Sequence, residues 1–163
     1  MNSFIFSTAL VVGGLFVAAS GQQTLVADEQ QAQEDREQAF IAMFDNVKLT
    51  GSFTVDGKAG EAPKAESYSI TSVRKVTGNL WTFNTHIKYG KIDSRLPITV
   101  PVVWADGTPM VSLTNATLPG LGSAFSARVI FHDGRYAGTW QHGKVGGHMF
   151  GTIEKAAAPE KTE

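Results

Sequence analysis

His142 and His148 flank the segment Gly143-Lys144-Val145-Gly146-Gly147. Two imidazoles facing one another across a hairpin would be the beginning of a metal site. A turn symmetric about Val145 pairs His142 with His148 and Trp140 with Phe150 on one face. The register one residue away opposes Trp140 to Met149, Gly138 to Gly151 and Tyr136 to Ile153, and sends His148 to the other side. This second register puts Met149 and Ile153 on the dry face and is preferred. A metal also needs a third ligand and groups to orient it, and no HxH, HExxH or suitably spaced carboxylate supplies them. The expectation is no metal and no cofactor, with His142 and His148 as polar caps at a rim and His142 near Trp140 and Phe125. His132 beside Asp133 reads as turn chemistry, and His86 lies on the wet side of its strand between Asn84 and Lys88.

Acid–base chemistry needs a carboxylate or histidine inside the dry face, where burial tunes its proton affinity. Alternation within each segment gives the inward set Phe53, Val55, Tyr68, Ile70, Phe83, Thr85, Ile87, Val100, Val102, Val111, Leu113, Val129, Gly138 and Trp140. No carboxylate is among them, and its threonine has no histidine at hand to activate it, so the chain reads as a non-enzyme. An isomerase or cyclase working by shape would betray itself as an inward ionisable residue outside this set. With no cysteine, disulfides, thiolate metal sites and a cysteine nucleophile are excluded.

The elements that must position these residues follow from a two-residue period. Trp81, Phe83, Thr85, Ile87 and Tyr89 alternate with Thr82, Asn84, His86 and Lys88, and the pattern recurs from Val47 almost to Lys155. Strands are expected at 47–56, 67–76, 80–89, 95–105, 108–114, 125–132, 135–142 and 147–154. Eight short antiparallel strands joined by tight turns make an all-β meander, closed as an up-and-down barrel or split as a sandwich. Asp106-Gly107 and Asp133-Gly134 are two-residue hairpin turns that fix register. They set Val102 opposite Val111, Val100 opposite Leu113, and Phe131, Val129, Ala127 and Phe125 opposite Tyr136, Gly138, Trp140 and His142.

Prolines add a prediction about this sheet. Residues 97, 99, 101, 103 and 105 direct their N–H groups to the following strand, and Pro97 and Pro101 have none. The ladder there is expected to hold near Asp106-Gly107 and to break farther out, giving either a ligand entrance or an edge strand blocked against pairing. Leu118-Pro119-Gly120-Leu121-Gly122 is a candidate lid, or a packed connection whose leucines cap the core.

Four domains are expected: a signal peptide over 1–27, an acidic helix over 28–45, a β-barrel over 46–155 and a disordered tail over 156–163. The first carries an apolar run from Phe4 to Ala19, the length of a signal-peptide core, with cleavage at Ala18-Ala19-Ser20 or at Leu25-Val26-Ala27, so export to the periplasm or beyond is expected. Membrane attachment would come only through an uncleaved signal. In the helix, Phe40, Met43 and Phe44, with Ile41 beside them, form an apolar end suited to plug or flank the sheet. Residues 28–45 hold six acids against Arg36, a net of −5, and residues 46–155 hold twelve Lys/Arg against seven Asp/Glu, a net of +5. The basic residues are scattered rather than interleaved with aromatics in a patch, which speaks against nucleic acid.

Leu49-Thr50-Gly51-Ser52-Phe53 resembles the Leu-x-Gly-x-Trp opening of lipocalin- and avidin-type barrels, the calycin type, with Phe53 where those families carry tryptophan. The second Gly-x-Trp, Gly138-Thr139-Trp140, stands in the seventh strand, and the Arg-bearing final segment of lipocalins has no counterpart. The chain is also similar to small exported bacterial proteins of uncharacterised function, through Tyr136-Ala137-Gly138-Thr139-Trp140 and Gly146-Gly147-His148-Met149-Phe150-Gly151. The barrel resemblance implies an interior for one small apolar ligand.

Two function classes follow. In the first, a small apolar or aromatic ligand is held by Phe53, Tyr68, Phe83, Val100, Val129, Tyr136, Gly138 and Trp140 and enters beside Pro97 and Pro101. In the second, the core is filled and the protein is an envelope structural or interaction domain with a protein partner. Gly138 distinguishes them locally: it is either a recess for a flat ligand or a bend where side chains would collide.

Overall fold

The computed structural model describes residues 17–58, 60–89 and 92–156. All of the tail assigned to 156–163 except Ala156, and most of the expected signal segment, lie outside them. The elements are α1 (Val17–Met43), β1 (Val47–Phe53), β2 (Lys64–Thr77), β3 (Leu80–Tyr89), β4 (Ile92–Ala105), β5 (Thr108–Leu118), β6 (Gly122–His132), β7 (Arg135–His142) and β8 (Val145–Lys155). The chain divides into two compact units, Met1–Arg36 and Glu37–Glu163. In its described part the first unit is helix, and α1 therefore begins within the segment assigned to export. Among the described residues no helix is long and apolar enough to cross a membrane.

In the second unit every strand pairs antiparallel with its sequence neighbours, and β8 pairs with β1 to close an eight-stranded up-and-down barrel. The sandwich alternative is thereby excluded, and the closure is compatible with a calycin-type barrel. Both Asp-Gly hairpins form, but the expected pair Val100–Leu113 lies beyond the paired stretch of the first. Asp106 (φ 47) with Gly107 (φ 79), and Asp133 (φ 47) with Gly134 (φ 66), supply the two consecutive left-handed residues of a type I′ turn. Val102 meets Val111, and Phe131, Val129, Ala127 and Phe125 meet Tyr136, Gly138, Trp140 and His142.

The β7–β8 hairpin is a correction. Both expected registers are too loose, because the turn is Gly143-Lys144 alone, with His142 opposite Val145, Trp140 opposite Gly147 and Tyr136 opposite Gly151. Gly143 at φ 61 takes the first central position, where a type II′ turn needs a left-handed residue. The facing keeps the parity of the preferred alternative, so Met149 and Ile153 pack toward the core.

Two bulges also shift the pattern. Between Ile70 and Ser72 the register slips, so the buried positions of β2 pass from Ile70 to Val73. In β5 the slip between Leu113 and Ala116 passes the core face from Leu113 to Ala116 and Leu118. Strand β5 thus runs on to Leu118, and a tight turn closed by Leu121 N–H to the Leu118 carbonyl at 3.0 Å replaces the expected loop. Leu118 is buried and Leu121 packs on the core, so this segment is the packed connection rather than a free lid.

One end of the barrel is plugged by the last turn of α1. Phe40 and Phe44 are 1% and 0% exposed and meet Trp81, Phe83, Trp104 and Phe131 edge to face at centroid separations of 4.9–6.0 Å. The helix end is fastened from the barrel wall: Lys155 Nζ donates to the carbonyls of Ala42 (3.2 Å) and Asp45 (2.7 Å), satisfying acceptors that a helix C-terminus leaves open. Lys75 also pairs with Glu37 on the helix.

Candidate functional site

Between the aromatic plug and the opposite rim the barrel encloses a cavity of about 290 Å³. Its floor includes Phe83 and Phe131 from the plug cluster, and its walls are largely aliphatic and aromatic. That volume is about twice the engineered cavity of ~150 Å³ that admits benzene, and it lies at the lower limit of ordinary ligand pockets.

Seven of the eight expected ligand contacts line this cavity: Phe53, Tyr68, Phe83, Val100, Val129, Tyr136 and Trp140. Gly138 does not. A Cβ there would run into the Arg128 carbonyl and lie 2.8 Å from Val129 Cα, so glycine is required by the close approach of β6 and β7. Gly138 therefore marks a bend in a coiled sheet and leaves no recess. Trp140 is held across the rim, its Nε1 donating to the Thr54 carbonyl at 3.2 Å and its ring edge to face with Phe53 at 5.7 Å.

The proline-directed gap is present. Strands β4 and β5 pair only from Val102/Val111 to Ala105/Thr108, whereas β3 pairs with β4 along its whole length, Pro97 and Pro101 included. Val102 N–H donates to Asn79 O at 2.8 Å on the β3 side, so Pro101 faces β5 as the alternation requires. Ile98, Val100, Leu113 and Leu118 flank the unpaired stretch and also line the cavity.

The two histidines do not converge. His142 lines the cavity rim and stacks on Phe125 at 4.1 Å with an interplanar angle of 12°. His148 pairs with Thr139 on the opposite face and is exposed. Among the described residues no three His, Asp or Glu side chains gather to hold a metal ion. His86 lies outside as expected, paired with Asp93, whose carboxyl it holds below its usual range together with Lys88.

The residue that parity missed is Glu66. It is 5% exposed and lines the cavity. The expectation that the dry face holds no carboxylate is corrected, because β2 begins at Lys64 and the alternation of Tyr68 and Ile70 extends back to Glu66. Tyr136 Oη donates to Glu66 Oε1 at 2.8 Å, and Tyr68 Oη donates to Oε2 at 2.7 Å. Burial pushes the Glu66 carboxyl above its usual 4.5, and the two phenol hydrogen bonds oppose that rise only in part. The same burial, together with the adjacent carboxylate, drives the Tyr136 phenol far above its ordinary range.

Tyr136 reaches Glu66 across two intervening strands. Glu66 on β2 is paired with Gly51 on β1, Gly51 with Gly151 on β8, and Gly151 with Tyr136 on β7. The row reads Glu66, Gly51, Gly151, Tyr136. A Cβ on Gly151 would lie 2.7 Å from Tyr136 Cε1, and one on Gly51 would overlap the Tyr136 hydroxyl. The two missing side chains leave the trough in which the phenol lies. Residues with titrating side chains in the cavity lining are Glu66, Tyr68, Tyr136 and His142, and no lysine or arginine is among them.

Comparison with protein-family models, curated proteins and solved structures finds no match.

Proposed function

We propose that this protein is an exported binding module that holds one small, mainly apolar or aromatic ligand inside its barrel. The observation that carries the reading is the 290 Å³ cavity, plugged by Phe40 and Phe44 at one end and lined mainly by apolar walls. A void this size in a closed barrel forgoes dispersion contacts that a filled core would make, at a cost to stability that selection for folding alone would remove. The ligand enters beside Pro97 and Pro101, where the wall lacks cross-strand bonds. Holding rather than turnover is supported by Glu66, whose two oxygens are each engaged by a phenol, and by Tyr136, whose raised proton affinity makes it a poor acid near neutral pH.

Native mass spectrometry of freshly purified protein and quenching of tryptophan fluorescence by apolar probes test this reading. Trp140 lines the cavity and reports occupancy. Saturable quenching is expected in the unmodified chain and is abolished in Ala127→Phe, which fills the space from the wall. Absence of both a retained mass and saturable quenching overturns the proposal, as does undiminished quenching in a folded Ala127→Phe.

A further inference from the structure

The Glu66 pole says what kind of ligand the cavity is built for, given the binding reading above. Both phenols act as donors, one to each carboxylate oxygen, which is the arrangement of an ionised acid that can only accept. Each oxygen keeps acceptor capacity toward the cavity. A buried carboxylate is normally paired with a cation, because neutral donors replace only part of the hydration it has lost. Among the described residues none makes an ion pair with Glu66, and the cavity lining contributes no lysine or arginine. The negative pole therefore stands in an apolar chamber without its counter-charge. Tyr68, Tyr136 and Phe53 stand in the same lining, and aromatic rings attract positive charge.

We propose that the cavity takes an organic cation: an apolar or aromatic body carrying one protonated amino group, which seats against the Glu66 carboxylate. The amino group replaces the missing counter-charge, and the body fills the space between the aromatic floor and the rim. The ionisable groups nearest this pole are Tyr68 and Tyr136 in contact with it, His142 at the cavity rim, and Lys64, exposed at the start of β2 and outside the lining. Glu66 must be ionised to hold the cation, so amine affinity falls as pH drops through its raised titration, while affinity for a neutral ligand of the same shape does not follow that curve.

The test uses the full chain and two probes of equal shape, 2-(1-naphthyl)ethylamine and 2-(1-naphthyl)ethanol, titrated calorimetrically at pH 7.5. The amine is expected to bind about tenfold tighter, the difference between a charge-assisted and a neutral hydrogen bond. In Glu66→Gln that preference shrinks to about twofold through loss of amine affinity. An alcohol that binds as tightly as the amine, or an amine preference that survives Glu66→Gln, overturns the inference and leaves the binding module standing. If neither probe binds, both readings fall. Should Glu66→Gln not fold, the unmodified protein decides: an amine preference over the alcohol that stays unchanged across the pH range in which NMR shows Glu66 taking up its proton overturns the inference.

Discussion

Replacing Gly51 by alanine tests whether the glycine row is what lets the barrel close around a buried acid. A Cβ at position 51 would overlap the Phe150 carbonyl and the Tyr136 hydroxyl and lie 2.8 Å from Gly151 Cα. Two of these three obstacles are backbone of β8, the strand paired with β1 at the closing seam. A side chain can rotate away from an added methyl group, but a paired backbone must slide or part. Overpacking costs about 1–3 kcal/mol, and obstacles of this kind place the substitution at the upper end, about 3 kcal/mol. For a barrel of this size that corresponds to a fall in Tm of roughly 10 °C. Urea unfolding followed by tryptophan fluorescence gives the free energy, and a calorimetric scan gives Tm. Tyr136→Phe placed on top of Gly51→Ala removes one obstacle and restores only a minor part, because the seam remains blocked. A Gly51→Ala protein that melts within about 2 °C of the parent would refute the argument that the seam needs this glycine.

Phe44→Ala empties a fully buried position touching Phe40, Phe83 and Phe131, and should cost about 3–5 kcal/mol in urea unfolding; a loss under 1 kcal/mol would mean that the helix end is not part of the core. Glu66→Gln should change how stability depends on pH. The raised carboxyl binds its proton more tightly in the folded state, so its contribution is complete below the usual 4.5 and is lost as pH rises through the folded value. The Tm of Glu66→Gln minus that of the parent should therefore grow between pH 4.5 and 8, and a constant difference would contradict the burial of an unpaired acid.

Much of this fold was legible because a few residues speak unambiguously about backbone geometry. Asp106-Gly107 and Asp133-Gly134 can only be hairpin turns of one twist, and with two registers fixed the apolar face follows by parity. Pro97 and Pro101 announce missing donors whatever surrounds them, and the unpaired stretch of β4 and β5 sits where they place it. Phe40 and Phe44 lie four residues apart at the apolar end of a helix whose preceding turns are polar, so their docking was readable too. Bulges were harder, since a slip such as Ile70 to Val73 shows only as a spacing of three, which a helix or loop would also produce. Gly143-Lys144 carries a weaker signal than Asp-Gly, and taking Val145 as part of the turn displaced the last hairpin. Glu66 was lost at a strand boundary: Pro63-Lys64-Ala65 reads as loop, and a carboxylate placed before a strand is ordinarily a wet residue.

The glycines hid the site for a different reason. Within a single strand Gly51 and Gly151 weaken pairing and suggest nothing beyond a bend. Their role depends on the close approach of the β1 and β8 backbones and on the Tyr136–Glu66 hydrogen bond, 70 positions apart, both of which exist only once β8 has met β1. Closure and the acidic pole are then a single structural feature. The seam is glycine on both strands because the β1 and β8 backbones approach too closely for a Cβ, and the same space lets the phenol cross to a carboxylate in a chamber with no basic lining residue. An apolar pair at positions 66 and 136 would close such a barrel without a buried charge. The chain retains the costlier arrangement, and the proposed cationic ligand would offset that cost.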